Sequence, residues 1–120
     1  QINDFERHLS ENNVRIVKFF LYISKKEQTD RLRDRVLDPS ENWKVSAADY
    51  ERTKKWDLYM EAYEDALKLC STEWTPWYVV PANKKWFRNW VVAKVIRKNL
   101  LKLDPNFPTK NIDKSLLDNI

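Results

Sequence analysis

The spacing of apolar residues along the chain alternates between the helical period and the short apolar runs typical of strands. Residues 2–12 carry apolar side chains at intervals of three and four, which predicts an amphipathic helix. The Asn12–Asn13 pair is expected to end this helix, because Asn tolerates the left-handed backbone conformation. Val14–Ile23 is a nearly continuous β-branched and aromatic run, typical of a strand buried on both faces. Lys18 interrupts the run and therefore needs a sheet edge or a polar partner.

Two serines mark the starts of the next helices. Ser24 followed by Glu27 is a capping-box pattern, and it predicts a helix that begins directly after the strand. Ser46 followed by Asp49 is a second such pattern, and it predicts one long helix that continues to about Cys70. The apolar stripe of this long helix is expected to comprise Trp56, Tyr59, Tyr63, Ala66, Leu67 and Cys70.

A second strand and a last helix complete the pattern. Trp77–Val80 is a short β-rich run that Pro81 closes, and residues 84–103 return to helical spacing. Beyond them lies a polar tail, in which a last turn is expected near Leu116–Leu117. Strands separated by helices predict a parallel pair in an α/β sheet. Two strands make a poor free-standing sheet, so we expect the rest of the sheet to lie outside these residues.

The composition of the 120 residues excludes several kinds of catalytic site. They contain no glycine, so a P-loop, a G-x-G-x-x-G loop and a G-x-S-x-G elbow are all excluded. Because the first residue is Gln1 and not Met, we expect a fragment of a longer protein. The single Cys70 is expected to be a buried thiol in a reducing, cytoplasmic protein, and one Cys with one His argues against a zinc cage. No apolar run approaches the roughly 18 residues of a membrane span, so no membrane partner is expected.

The charged residues are distributed unevenly. The net charge is +4, but residues 74–103 contain seven bases and no acid, whereas the remaining fifteen bases and eighteen acids give −3. The seven bases are Lys84, Lys85, Arg88, Lys94, Arg97, Lys98 and Lys102. Such a stretch indicates a polyanionic partner, which can be a phosphate chain, a nucleotide or a nucleic acid. A solvated helix face with no partner is an equally good interpretation of the charges alone.

Seven segments, in this order and spacing, resemble the polyphosphate kinase 2 family. The segments are I-N-x-F-E at Ile2–Glu6, K-F-F-L-x-I-S at Lys18–Ser24, E-Q-x-x-R-x-x-x-R at Glu27–Arg35, D-P-x-x-x-W-K at Asp38–Lys44, W-D-x-Y-x-x-A-Y at Trp56–Tyr63, S-T-E-W-x-P-W-Y-V-V-P-A at Ser71–Ala82 and K-W-F-R-N at Lys85–Asn89. The resemblance covers residues 2 to about 108. The S-T-E-W and K-W-F-R-N segments are most similar to members that phosphorylate AMP and ADP.

The resemblance implies a fold and a reaction. The family has a three-layer P-loop kinase fold related to thymidylate kinase, and it transfers phosphoryl groups between inorganic polyphosphate and a nucleoside mono- or diphosphate with Mg²⁺. Its Walker A loop and Walker B strand precede these seven segments and are absent from this chain. The expected α/β fold is therefore the C-terminal half of such a domain over residues 1–110, with a helical lid at about 25–70 and a polar tail at 111–120. The Mg²⁺ ligands are expected outside this chain, and the chain alone is expected to be inactive.

Two arginines are the predicted catalytic residues. Arg31 and Arg35 are four residues apart, so they lie on one face of the helix that follows Ser24. They match the lid arginines of the family, and the resemblance therefore implies that both clamp phosphate during transfer. Arg33 has no such match. The structural alternative is that both arginines form surface ion pairs with neighbouring acids such as Asp30 and Asp34.

Three more basic residues are predicted to bind substrate. Lys44 in the lid loop is a candidate second phosphate contact. Lys85 and Arg88 follow the last strand at the end where α/β sheets bind ligands, and they match a family element assigned to nucleotide or polyphosphate contact. Trp43 and Trp74 lie off the helical stripes and are candidates for stacking on a base.

Two other functions remain open from the sequence. One is a non-catalytic basic module that binds nucleic acid or another polyanion through residues 74–103, although no nucleic-acid motif is present. The other is a nucleoside monophosphate kinase that uses ATP as donor. The preferred interpretation has inorganic polyphosphate and AMP or ADP as partners and does not expect nucleic acid. It also expects a homo-oligomer, since a half-domain exposes a sheet edge. The sequence does not distinguish AMP, ADP and GDP.

Overall fold

The computed structural model describes residues 1–108. Its elements in chain order are α1 (Ile2–Glu11), β1 (Lys18–Tyr22), α2 (Lys25–Leu37), a 3₁₀ turn (Asn42–Lys44), α3 (Ala47–Lys54), α4 (Trp56–Leu69), β2 (Trp77–Pro81) and α5 (Lys85–Leu103). The turn expected near Leu116–Leu117 and the tail at 111–120 lie outside the described residues. Within the described part, no helix has the length and apolar character that a bilayer crossing requires.

The two strands form a parallel pair, which confirms the predicted α/β class. Phe20 lies opposite Val79, and the pairing runs from Lys18 and Trp77 to Tyr22 and Pro81. Helices α2 to α4 make up the crossover between the strands, as a parallel connection requires.

The first strand is shorter and more exposed than the sequence predicts. It begins at Lys18 and not at Val14, because β2 offers only five residues to pair with. The expectation of burial on both faces is wrong for the described residues: Leu21 is 44% exposed and Tyr22 is 45% exposed. The cause is that β1 has one neighbouring strand there, so its other edge and much of its faces are uncovered.

Helix α1 ends by the left-handed turn that the Asn pair predicts. Asn13 has φ 63°, its N–H donates to the carbonyl of Ser10 at 3.2 Å, and the N–H of Val14 donates to the carbonyl of Leu9 at 3.0 Å. These two bonds form a Schellman motif without glycine. At the end of α5 the left-handed position is occupied by Asp104, with φ 44°.

Each of the two predicted capping boxes is formed on one side only. The Ser24 hydroxyl accepts the N–H of Glu27 at 3.2 Å, but the Ser24 N–H donates to Asn83 Oδ1 at 3.0 Å instead of to the Glu27 carboxylate. The Glu27 carboxylate binds an arginine of its own helix, as described below. At the start of α3, the Ser46 N–H donates to Asp49 Oδ2 at 2.9 Å, whereas the Asp49 N–H donates to the Ser46 carbonyl at 3.0 Å and not to the Ser46 hydroxyl.

The predicted long helix from 46 to 70 is broken in two. Lys55, between α3 and α4, has φ −92° and ψ 19°, outside the helical range of ψ. Just before it, the Thr53 hydroxyl donates to the carbonyl of Asp49 at 3.0 Å. The same bond from the Thr29 hydroxyl to the Lys25 carbonyl at 3.0 Å leaves α2 continuous, so the Thr53 bond accompanies the break but does not by itself explain it.

The described residues enclose very little core. Thr75, Val80 and Ala82 are the only buried residues among them, and all three lie in or beside β2. The radius of gyration is 21.7 Å, against about 13 Å for a compact domain of about 100 residues. The apolar stripe predicted for α4 is accordingly open, with Tyr59 45% exposed and Tyr63 46% exposed.

A half-enclosed polar cluster joins α1 to both strands and supplies the partner that Lys18 requires. Lys18 Nζ donates to Glu6 Oε2 and to the Cys70 carbonyl, both at 2.6 Å, and lies 3.3 Å from Thr75 Oγ1. The Thr75 hydroxyl donates to the same Glu6 oxygen at 2.6 Å. Burial raises the pKa of Glu6, but the bonds from Lys18 and Thr75 and the charge of Lys18 outweigh it, so the pKa lies below its ordinary value. The Cys70 thiol, expected to be buried, is half-buried.

Candidate functional site

Helices α2 and α5 both begin at the carboxyl edge of the sheet. The two strands end at Tyr22 and Pro81, and the residues just beyond them are linked through side chains: Asn83 Oδ1 accepts the Ser24 N–H at 3.0 Å, and Asn83 Nδ2 lies 3.3 Å from Ser24 Oγ. Open α/β sheets bind ligands outside this edge. A ligand there would meet residues of the first turns of α2 and α5.

Arg31 ties α2 to this edge. Its Nε donates to Glu27 Oε1 at 2.8 Å, and its Nη2 donates to the carbonyls of Ala82 at 2.9 Å and Asn83 at 3.0 Å. Arg31 therefore forms an ion pair within its own helix, which was the structural alternative to phosphate binding. The acid is Glu27 and not Asp30, which pairs with Lys26. Nη1 is the guanidinium nitrogen of Arg31 that has no hydrogen bond to another described residue. The role of Arg31 as a phosphate clamp stays a prediction, with Nη1 as the group available for it.

Arg35 lies one turn further along α2 and lines a cavity of about 260 Å³ between α2 and α3, which we call the arginine cavity. Its lining residues are Ile23, Gln28, Arg31, Leu32, Arg35, Asp49, Arg52 and Thr53. Three of these side chains are cationic and one is anionic, so the cavity has an excess of positive charge. Arg35 is half-buried, and its side chain forms no ion pair or hydrogen bond with any other residue in the 1–108 range. Its guanidinium is therefore free to bind an anion.

Asp49 is the internal counter-ion of the arginine cavity. Its Oδ2 accepts the Ser46 N–H at 2.9 Å and the Ser46 hydroxyl at 3.1 Å, and its Oδ1 lies 3.4 Å from Arg52 Nη1. The backbone and hydroxyl bonds from Ser46, followed by the positive charges of Arg52 and Arg35, hold the pKa of Asp49 below its ordinary value. Asp49 is therefore a carboxylate at neutral pH, and one of its two oxygens belongs to the helix cap.

Sequence reasoning missed Arg52. Its spacing of three from Asp49 indicates only an exposed ion pair on one helix, which is of little functional significance. The bend in the chain after α2 is what brings α3 back so that Arg52 shares a cavity with Arg31 and Arg35. No local motif carries this information, because the contact joins residues of two different helices.

A second, larger cavity adjoins the first. It has a volume of about 610 Å³ and is lined mainly by aromatic side chains of the strands and α4, among them Phe20, Tyr22, Trp56, Tyr59, Tyr63 and Trp77. Ile23, Gln28 and Arg52 line both cavities. The side-chain amide oxygen of Gln28, Oε1, is buried and has no hydrogen-bond partner within the described residues, which is uncommon for a polar atom.

The other predicted binding residues lie away from the arginine cavity. Lys44 Nζ pairs with Glu41 at 3.1 Å and lies 5.4 Å from the centre of the Trp43 ring. Lys85 is exposed in the first turn of α5, and the Arg88 guanidinium donates to its neighbour Asn89 at 2.9 and 3.0 Å. None of the three lines the arginine cavity. Their substrate contacts stay predictions.

The two tryptophans predicted to stack on a base also lie outside both cavities. Trp43 is 75% exposed and Trp74 is 36% exposed. The aromatic side chains that do gather near the arginines come from β1, β2 and α4 instead.

No metal centre is formed by residues 1–108. Within this range, no three His, Cys, Asp or Glu side chains come together in the way that a metal ion requires. The carboxylate nearest the site, Asp49, already binds Ser46 and Arg52. The described residues therefore do not fit a Mg²⁺ cage.

Comparison with known proteins agrees with these features. The family model Polyphosphate kinase 2 matches residues 1–108. An AMP/ADP-polyphosphate phosphotransferase of Meiothermus ruber is 47% identical over 107 residues, covering 89% of this chain and 40% of the relative. An ADP-polyphosphate phosphotransferase of Rhodopseudomonas palustris is 46% identical over 107 residues, covering 89% of this chain and 37% of the relative.

A solved structure of polyphosphate kinase 2 from Arthrobacter aurescens TC1 has the same fold over nearly the whole chain. The TM-score is 0.90 at 43% identity, and the alignment covers 98% of this chain and 42% of that one. The chain thus spans about 40% of the length of these three relatives. The resemblance drawn from the seven sequence segments is confirmed.

Proposed function

Since this chain belongs to the polyphosphate kinase 2 family, we propose that it takes part in phosphoryl transfer from inorganic polyphosphate to a nucleoside mono- or diphosphate, converting AMP or ADP to ADP or ATP. The observation that carries this proposal is the arginine cavity, in which Arg31, Arg35 and Arg52 meet beside the carboxyl edge of the sheet. The names of the relatives support the choice of donor and acceptor.

The chemistry suits these residues. Phosphoryl transfer requires little covalent work from a protein, and its catalysis rests on positioning and on positive charge around the transferred group. Planar guanidinium groups bind phosphate oxygens in pairs, which fixes the orientation of the phosphate as well as neutralising it. In this proposal Arg35 and the free Nη1 of Arg31 hold the phosphate chain, and α2 brings them to the end of the sheet.

We propose that the remaining parts of the catalytic centre come from residues outside these 120. A Walker A loop requires glycine, and this chain has none. The isolated chain is therefore proposed to be inactive. Mg²⁺, which would neutralise the phosphate charge when bound, is proposed to be held by those other residues and by the substrates, and no step assigned to this chain runs through it. A cytoplasmic location belongs to the same proposal.

The proposal is tested in a chimera that carries this chain in place of the matching segment of the Meiothermus ruber relative. Arg35→Ala should lower ATP formation from ADP and polyphosphate by about 100-fold, because a preorganised donor to the transferring group is lost. Arg33→Ala is the matched control, since Arg33 is an exposed arginine on the same helix and does not line the cavity.

Three measurements on the chimera distinguish the possible functions. Near-normal turnover of Arg35→Ala in an active chimera contradicts the clamp. Turnover with ATP but not with polyphosphate as donor would favour the monophosphate kinase instead. Tight binding of single-stranded nucleic acid that short polyphosphate fails to displace would favour the non-catalytic module.

A further inference from the structure

We propose that Arg52 is a third phosphate contact and that Asp49 competes with the phosphate for it. In the structure the Asp49 carboxylate lies at Arg52. A phosphoanhydride chain that enters the arginine cavity takes the place of Asp49 on Arg52, so the Asp49–Arg52 pair lowers the affinity for the chain. This inference rests on the proposed function for the class of ligand, and it adds a contact and a control on affinity that the sequence did not indicate.

The Asp49–Arg52 pair is weak enough for Arg52 to exchange Asp49 for a ligand. A single contact of 3.4 Å joins Asp49 Oδ1 to Arg52 Nη1, and the Arg52 side chain is 62% exposed. An exposed pair with one long contact is weak. The two shorter bonds of Asp49 go through its other oxygen to Ser46. Arg52 can therefore leave Asp49 without loss of the α3 cap.

The position of Arg52 also favours a ligand over an internal partner. Arg35 has no acidic partner within the described residues, and Arg31 retains a free Nη1, so a ligand at Arg52 would meet two further guanidinium groups in one cavity. Glu27 neutralises Arg31, and Asp49 alone cannot neutralise both Arg35 and Arg52, whereas a phosphate chain carries a charge on each unit. Charge-assisted bonds to several arginines add to affinity and fix the register of the chain.

Arg52 also lies where the arginine cavity meets the second, larger cavity that aromatic side chains line. It shares this boundary with Gln28, whose buried carbonyl oxygen has no partner in the described part of the chain. An amide oxygen needs a hydrogen-bond donor, which an ionised phosphate chain does not offer but the ribose and base of a nucleotide do, so Gln28 itself is not assigned as a phosphate contact. Two sources of phosphoanhydride fit here, namely inorganic polyphosphate and the phosphates of a nucleotide.

The test is calorimetric titration of the 120-residue chain with tripolyphosphate and, separately, with ADP. Arg52→Ala should weaken binding about tenfold or more, because one charge-assisted contact is lost. Asp49→Asn should tighten binding about threefold or more, since the amide keeps an acceptor for Ser46 but has no charge to hold Arg52. Matched controls are Arg33→Ala on α2 and Glu51→Gln on α3, whose carboxylate pairs with Lys54 outside the cavity. Both controls should bind as the unchanged chain does.

The gain expected for Asp49→Asn separates this proposal from simple unfolding, which cannot tighten binding. Unchanged or weaker binding of Asp49→Asn overturns the competition, and unchanged binding of Arg52→Ala overturns the contact. A loss confined to tripolyphosphate, or to ADP, identifies which source Arg52 serves. If the chimera shows no turnover with polyphosphate, the proposed function fails and not merely the present inference.

The same variants in the active chimera give a second measurement that does not depend on the stability of the short chain. Asp49→Asn should lower the KM for polyphosphate and Arg52→Ala should raise it, with Glu51→Gln unchanged. A rise in KM for Asp49→Asn contradicts the competition in the complete enzyme.

Discussion

At the scale of single residues, Arg31 and Arg35 differ in their hydrogen-bond partners, although their spacing makes them equivalent on the helix. Both lie on one face of α2, as predicted, but Arg31 binds two carbonyls beyond β2 whereas Arg35 has no partner among the residues described. The sequence could supply the shared face, because that follows from helical geometry. It could not supply the division of roles, because the carbonyls that occupy Arg31 lie about fifty residues further along the chain.

This division gives a testable difference in stability. Arg31→Lys should lower the free energy of unfolding by about 1–2 kcal/mol, because a lysine cannot bond Glu27, Ala82 and Asn83 together. The measurement is urea unfolding followed by tryptophan fluorescence. Arg33→Lys on the same helix is the control and should leave the midpoint unchanged. If Arg31→Lys is as stable as the unchanged chain, its link between α2 and the sheet is of no energetic importance.

At the scale of elements, the contact between α1 and the strands depends on one ion pair. Lys18 and Glu6 have side chains only 10% and 13% exposed, so removing one charge leaves the other nearly buried. Glu6→Gln should cost about 3 kcal/mol at pH 7. Glu64→Gln is the matched control, because the side chains of the Glu64–Lys68 pair are 64% and 66% exposed and the pair should contribute little to the free energy of unfolding.

The same pair predicts a pH dependence with a definite sign. Because folding lowers the pKa of Glu6 from its ordinary value of 4.5, its stabilising effect is complete above that value and disappears as the pH falls through the lower, folded value. The loss of stability below pH 4.5 should therefore be smaller in Glu6→Gln than in the unchanged chain. Equal acid dependence of the two, measured as urea midpoints, would show that Glu6 does not titrate as its contacts require.

Elements were predictable where their signal is local. Helix α1, its stop at Asn13 and the start of α5 all follow from spacing and from backbone preferences of nearby residues. The break at Lys55 was not predictable, since no Pro or Gly marks it and a single hydroxyl bond from Thr53 accompanies it. Nor was the start of β1, because a strand begins where its partner begins, and β2 lies more than fifty residues away.

At the scale of the whole molecule, the uneven distribution of charge predicts that the rate of polyphosphate association depends on salt concentration. Lys98 and Lys102 are exposed near the end of α5, within a stretch that contains no acid. Replacing both with Gln should slow the association of polyphosphate with the chimera at low ionic strength, and the difference should disappear near ~0.5 M salt, where the screening length is only about 4 Å. Stopped-flow binding at several salt concentrations measures it. Lys54→Gln with Lys68→Gln removes the same charge elsewhere and should have a smaller effect.

The exposed apolar surface makes a prediction about association. Val79 is 56% exposed on β2 and Leu21 is 44% exposed on β1, beside a strand edge that has no partner within residues 1–108. An uncovered strand with apolar faces pairs readily with another chain, so we expect the 120-residue chain to self-associate as its concentration rises. Light scattering should show this, and Leu21→Lys should shift it to higher concentration, because a lysine on an edge strand opposes pairing.

Leu37→Lys, at a 72% exposed position on α2, is the control. If the chain remains a monomer, or if both lysines act alike, the open sheet edge is not the surface that associates. In the chimera the relative's own residues are available to cover this edge, so the effect of Leu21→Lys on association should be lost there.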